Sequence, residues 1–207
     1  MDKHYSICVG RKFGSGGLEI ATMAADRLGI KVYDKALLET ASKKTGFGRE
    51  FFDKADEEKT RRGLRSFFMS HLTEYGLSRN YLTSESLFKM QSETIKSIYE
   101  QEDCLFVGRC ADYVLRDSSR LFSVFIAADM DDRIERICKK EGGISPEKAR
   151  SIIREHDRKR ASYYNYFTGR VWGDPDFYDI CLNSSVLGYE KCVNLITALA
   201  KERLEIK

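Results

Sequence analysis

The apolar run Tyr5 to Val9 leads through Gly10 into Arg11-Lys12-Phe13-Gly14-Ser15-Gly16-Gly17, and Leu18-Glu19-Ile20-Ala21 then opens a helical pattern. A strand that turns through glycines into a helix aims several backbone N–H groups at one point. The helix N-terminus adds partial positive charge there. Such a cradle, built from Gly14, Ser15, Gly16 and Gly17, captures phosphate or sulfate. A loop of the form G-x-x-x-x-G-K-[ST] adds a lysine for the outer phosphates and a hydroxyl for Mg²⁺. With Gly16 in the last glycine slot, Gly17 stands at the lysine position, Leu18 at the hydroxyl position and Arg11 at the first glycine. The cradle is kept while its side-chain chemistry has moved or vanished. A bare connecting turn is one alternative. A dinucleotide loop, G-x-G-x-x-G, is another: Gly14 and Gly16 fit and Asp34 lies near the ribose-acid position, but Glu19 stands where the third glycine belongs.

Phosphoryl transfer asks the protein for cations around the transferring group, so relocated arginines can in principle replace a lysine. Arg11 and Lys12 are the local candidates, against a reading as solvated side chains at a strand end. Arg154, Arg158 and Arg160 share one predicted helix; Arg154 and Arg158 lie four apart on one face, so the three cannot all point inward. Their plain alternative is a solvated face paired with Glu155 and Asp157. Thr168 to Asp174 places Arg170 and the single tryptophan Trp172 between Gly169 and Gly173, with Asp174 next after them, which suits either a clamp on a substrate or a rigid turn over a buried Trp172. Asp34, at a strand end, could hold a nucleoside hydroxyl, orient a metal-bound water or cap the next helix. Arg109 and Asn183-Ser184-Ser185 also fall at the carboxyl ends of predicted strands, where ligands collect in open α/β sheets. His4, His71 and His156 lack ligand spacing; they read as surface residues, and no protein metal site is expected.

These groups need a scaffold. Five apolar strands are predicted at Tyr5 to Val9, Lys31 to Tyr33, Cys104 to Val107, Leu121 to Ala127 and Tyr178 to Leu182. Helical periodicity covers Gly17 to Leu28, Lys35 to Lys43, Ser84 to Glu100 with Ser84 as cap, Asp131 to Lys140, Ser145 to Tyr164 and Tyr189 to Arg203. The alternation predicts an α/β fold, a parallel five-stranded sheet flanked by helices. Residues 46–83 break the pattern with charge and aromatics, and read as a helical insertion: an acceptor cap, a packing arm or a dimer surface.

At 207 residues the chain suits one domain, residues 1–207. Its 35 basic and 32 acidic residues leave a net charge of +3, too weak a field for nucleic acid as the main partner, so any anion site must be local. Six cysteines without C-x-x-C spacing read as reduced core residues. No stretch approaches the ~20 apolar residues of a spanning helix, so neither a membrane partner nor a secretory route is expected, and the location expected is cytoplasmic.

Four segments resemble the cytidylate kinase-like family of P-loop proteins, relatives of nucleoside monophosphate kinases: R-K-F-G-S-G-G at Arg11 to Gly17, V-Y-D-K-A-L-L at Val32 to Leu38, V-G-R-C-A-D-Y-V-L at Val107 to Leu115, and the long run from Tyr163 to Ser185. The resemblance implies a P-loop NTPase-type sheet, with residues 145–175 as a lid-like segment. It implies ATP as donor, with Mg²⁺ bound mainly through the nucleotide, and a CMP-like monophosphate or another phosphorylated small molecule as acceptor. Arg109 would hold the acceptor phosphate, or else pair with Asp112. Arg158 and Arg160, with Arg154 less favoured, would close over the phosphates; Arg133 and Arg136 would flank the adenine or pair with acids on their own helix. Ordinary cytidylate kinases carry G-S-G-K-G-T where this chain reads Gly14 to Glu19, and an acid before G-R-D where it has Val107. The opposing expectation is therefore a nucleotide- or anion-binding protein with a degenerate loop and no catalysis. Homo-oligomerisation is left open.

Overall fold

A computed structural model describes residues 3–38 and 81–206. Strands β1 (Ser6–Arg11), β2 (Lys31–Tyr33), β3 (Cys104–Val107), β4 (Leu121–Ala127) and β5 (Ile180–Asn183) form one sheet in the order β2-β3-β1-β4-β5. Every neighbouring pair is parallel, as the alternation of strands and helices predicts. Parallel strands carry helices on both faces and so must be apolar on both. β3 accordingly is buried at every position, and β1 along its first four.

Among the described residues the helices are α1 (Gly17–Leu28), α2 (Tyr81–Tyr99), α3 (Ala111–Val114), α4 (Met130–Lys140), α5 (Pro146–Thr168) and α6 (Ser184–Leu204), with a 3₁₀ turn at Pro175–Phe177. Ile20, Ala21, Ala24 and Ala25 of α1 and Cys192, Val193, Ile196 and Ala200 of α6 close a core with Ile7, Val9, Val124 and Ile126. Each large aliphatic side chain so buried contributes about 1.5–3 kcal/mol. A second cluster, Ile134 and Ile137 of α4 with Ala149 and Ile153 of α5, fixes those two helices together and takes Phe13 of the glycine loop against it.

Several boundaries differ from the sequence expectation for identifiable reasons. β1 runs on past Val9, since Gly10 and Arg11 keep register with Phe125 and Ile126 of β4. β5 begins at Ile180, because the Asp179 carboxylate instead clasps β4, accepting from the Ser123 amide (2.7 Å) and hydroxyl (2.8 Å). α5 starts as expected, the Ser145 hydroxyl accepting from the Lys148 amide at 3.2 Å with Pro146 in the first turn, but continues past Tyr164 to Gly169, where φ of 68° ends it. α6 begins at Ser184, capped by the Asn183 side chain, and breaks at Gly188 (φ 71°, ψ 170°), which the periodicity from Tyr189 took for the start. Ser84 lies inside α2 and is not its cap.

The chain divides into two compact units, Met1–Lys35 with Lys96–Lys207, and Ala36–Ile95. The insertion expected at 46–83 lies outside the described residues except where α2 begins, and so does the end of the helix expected from Lys35 to Lys43. All six cysteines are free; Cys8, Cys104, Cys110 and Cys192 are buried, whereas Cys181 is exposed because β5 is an edge strand. Among the described residues no helix is long and apolar enough to cross a membrane.

Candidate functional site

β1 is the middle strand, and its carboxyl end delivers Arg11 and the loop Lys12–Gly16 to the carboxyl edge of the sheet, where ligands bind in open α/β folds. Gly14 (φ 77°) and Gly16 (φ 73°) take left-handed conformations that let the loop fold back on itself before α1. Gly16 has no room for a side chain either, because the Tyr189 ring stands over it. Ser15 is wholly buried, and its hydroxyl has no hydrogen-bond partner among the described residues. Glycine amides at a helix N-terminus with an orphaned hydroxyl among them fit an anion.

The loop is held by the helices beneath it. The Phe13 amide donates to Asp157 Oδ1 at 2.8 Å, and the Phe13 carbonyl accepts from Arg133 Nε at 2.7 Å. Arg133, itself only 3% exposed, closes the square with an ion pair to Asp157. The Phe13 ring stacks on His156 with centroids 4.1 Å apart, and the Arg160 guanidinium lies 5.4 Å from its centroid. Burial and the Arg160 charge pull the His156 imidazole below its ordinary proton affinity. Arg136 Nη1 reaches the Gly14 carbonyl (3.2 Å) and the Ser184 hydroxyl (3.4 Å), while Ser184 Oγ donates to the Ser15 carbonyl at 2.7 Å. Arg136 also lies 5.3 Å from the Tyr189 ring centroid. The guanidiniums of Arg133 and Arg136 are thus engaged in bracing the loop.

Above the loop three other guanidiniums gather. Arg160 Nη1 donates to the Arg11 carbonyl at 2.8 Å. Arg11 runs from beside Gly17 to Gly108, whose bare Cα meets the guanidinium. Burial, then the charges of Arg160 and Arg109, draw the Arg11 proton affinity down to about 9, with Asp34 opposing; it stays charged at neutral pH. Burial lowers Arg160 as well, Asp157 opposing it and Arg109 and Arg133 adding to it. Among the described residues none of Arg11, Arg109 and Arg160 forms an ion pair. Like charges so placed repel unless an anion joins them.

Arg109 sits on an unusual turn. Gly108, Arg109 and Cys110 have φ of 75°, 59° and 55°, three left-handed residues in succession. The two that carry Cβ atoms are held against their preference just past the carboxyl end of β3. Arg109 lies 5.9 Å from the Tyr163 ring centroid, and Asp112 is engaged elsewhere, accepting from the Tyr164 hydroxyl at 2.6 Å. Burial pushes the Asp112 carboxyl up, and the Tyr164 hydrogen bond and Arg170 only partly offset it.

Of the remaining expected residues, Lys12 is half-buried and its amide donates to Ile126 O at 3.0 Å. Asp34, half-buried just past β2, is the acid whose charge Arg11 feels. Arg154 and Arg158 lie together on the exposed face of α5, away from the face that carries Asp157 and Arg160 to the loop. Asp174 caps the 3₁₀ turn, accepting from the Asp176 amide at 3.2 Å. Trp172 is half-buried, edge-on to Phe125 at 5.3 Å, with its amide on Asn165 Oδ1 at 2.8 Å. Among the described residues no cluster of His, Cys, Asp or Glu could hold a metal ion.

Phe13 and Tyr189 carry no role in the sequence expectation, and Asp157, expected on a solvated face, instead holds the Phe13 amide and Arg133. Asp157, three before Arg160 and on its face, was the readable signal; the grip on the Phe13 backbone leaves no trace in residue type.

The model of the cytidylate kinase-like family matches residues 6–186. A cytidylate kinase from Desulfurococcus amylolyticus is 23% identical over 133 residues, 63% of this chain and 70% of that protein. An uncharacterized protein from Eubacterium ventriosum has a solved structure with a TM-score of 0.72 at 24% identity, covering 99% of this chain and 100% of that one. Shikimate kinase from Bacteroides thetaiotaomicron has a TM-score of 0.50 at 14% identity, covering 95% and 98%. The solved structures share the fold, an all-parallel sheet of the P-loop kinase type.

Proposed function

The chain belongs to the cytidylate kinase-like family, and from that footing we propose that it transfers the terminal phosphate of ATP to a small acceptor, a nucleoside monophosphate of the CMP type. The observation that carries this reading is the gathering of Arg11, Arg109 and Arg160, none ion-paired among the described residues, beside a glycine cradle whose buried Ser15 hydroxyl has no hydrogen-bond partner among them. Charge spreads over the equatorial oxygens during phosphoryl transfer, and fixed cations in a partly dry crevice stabilise it with little rearrangement. In this reading the amides of Gly14 to Gly17 hold the donor phosphates. Arg109 receives the acceptor phosphate, and Arg11 and Arg160 face the group in transit.

The nucleotide phosphates fit these residues. A protein-ligated Mg²⁺ in the loop does not: the hydroxyl position is Leu18, 41% exposed, and the residue before Gly108-Arg109 is the buried Val107. Mg²⁺ therefore comes with the nucleotide, held by phosphates and water. Arg133 and Arg136 act through the loop as positioning residues, and Arg154, Arg158, Lys12 and Asp174 are peripheral to transfer.

The same losses favour one second reading, a nucleotide-binding protein without turnover. A coupled assay with ATP and a panel of monophosphates, run beside equilibrium binding of each, separates them. Turnover of at least one pair is the expected result; ATP affinity with no turnover across the panel supports the second reading, and no ATP affinity overturns both.

A further inference from the structure

The side chain that ordinarily leaves the loop at position 17 has no room to do so here. A Cβ built on Gly17 would lie 2.5 Å from Arg11 Cβ, 3.0 Å from Arg11 Cγ and 3.2 Å from Ser15 Oγ. At the other end, a Cβ on Gly108 would collide with Arg11 Nη1. The Arg11 stem is therefore laid along the bare backbone of Gly17, and its guanidinium rests on the bare backbone of Gly108. Two glycines form the trough for one arginine. In the G-x-x-x-x-G-K-[ST] pattern the first position is glycine and the seventh lysine; here the first is Arg11 and the seventh Gly17. The two residues have exchanged bulk and charge across a contact that admits only one of them.

We infer that Arg11 and Gly17 are a reciprocal exchange: Arg11 supplies, from the end of β1, the cation for the outer phosphates that the loop lysine supplies from α1, and Gly17 is glycine because the Arg11 stem occupies its side-chain space. The inference rests on the reading of the loop as a triphosphate site, and it names the group that makes that site work. It also assigns distinct tasks within the arginine trio. Arg11 is fixed by the sheet and by both glycines, whereas Arg160 is donated from α5 and is tied to Arg11 through its carbonyl.

The test is a set of four variants measured two ways, by thermal melting without ligand and by equilibrium binding of ATP and of inorganic tripolyphosphate, which carries the phosphates without a base. Arg11→Gly is expected to weaken both probes roughly 10- to 100-fold, the worth of a charged hydrogen-bonding group. Gly17→Ala, which keeps every charge but drives a methyl into the Arg11 stem, is expected to lower the melting temperature and weaken both probes. Arg11→Gly with Gly17→Ala is expected to melt above Gly17→Ala while binding as poorly as Arg11→Gly. Arg11→Gly with Gly17→Lys is expected to recover both stability and binding. The inference is overturned if the lysine double variant binds no better than Arg11→Gly, or if Gly17→Ala melts and binds like the natural chain. A natural chain that binds neither probe would overturn the phosphate-site reading itself, a result distinct from failed rescue.

Discussion

Arg109 and Asp112 are single residues placed at odds with their own chemistry, one in backbone and one in charge. A left-handed conformation costs a residue with a Cβ about 1–2 kcal/mol, so at Arg109 (φ 59°) glycine should serve the fold better than alanine. Chemical denaturation of Arg109→Gly and Arg109→Ala is expected to place the glycine variant about 1 kcal/mol higher despite its looser unfolded chain. Both are expected to raise the acceptor KM at least about tenfold. A glycine variant less stable than the alanine one would remove the strain argument. Asp112 concerns protons. Its carboxyl affinity is raised on folding, so the folded state keeps that proton longer than the unfolded one. The stability this gives is complete below the unfolded value, near 3.9, and is lost as pH rises through the folded value. Asp112→Asn keeps an acceptor for the Tyr164 hydroxyl and loses the charge. Its melting temperature is expected to fall less than that of the natural chain between acid and neutral pH; parallel profiles would contradict the assignment.

At the scale of elements, the loop is a suspended segment and Arg133 with Asp157 is its strut, linking α4, α5 and the Phe13 backbone. Breaking a buried ion pair by removing one partner typically costs about 3–5 kcal/mol. Arg133→Ala is expected to approach that loss in urea unfolding and to speed hydrogen exchange at the Phe13 amide, while Arg154→Ala on the exposed face changes neither. Equal effects from the two would show that the strut is not special. The elements themselves were legible in sequence because burial on both faces forces apolar runs: Cys104–Val107 and Leu121–Ala127 needed no correction. Some differences follow backbone register and glycine conformation, as at Gly10–Arg11, Gly169 and Gly188, and others fall where a contact leaves no pattern in residue type. Asp179 replaces a rung of the sheet by clasping Ser123, and the Phe13 contacts use an amide and a carbonyl that every residue has. The glycine cradle could be read from four residue types in a row; the trough for Arg11 could not, since it depends on β3 bringing Gly108 alongside.

For the molecule as a whole, the charges of Arg109 and Arg160 bear on the buried Arg11, a repulsion that a bound anion relieves. Any ligand bound only by the folded chain stabilises it by about 2.7 kcal/mol at 100 times its Kd. Tripolyphosphate is expected to raise the melting temperature of the natural chain, less so as salt rises, and not to raise that of Arg160→Ala by the same amount. Equal shifts in both would take Arg160 out of the site. The position of Arg11 carries one more consequence. A lysine on the first turn of a helix is a long tether with several rotamers to lose on capture, each immobilised side chain costing about 0.5–1.5 kcal/mol. Arg11 is rooted in the ladder opposite Ile126, its stem against Gly17 and its guanidinium against Gly108, so in the proposed site it has less freedom to lose. Calorimetry should therefore find donor capture dominated by heat, with a small entropic penalty, and the lysine double variant should reach similar affinity with a larger one.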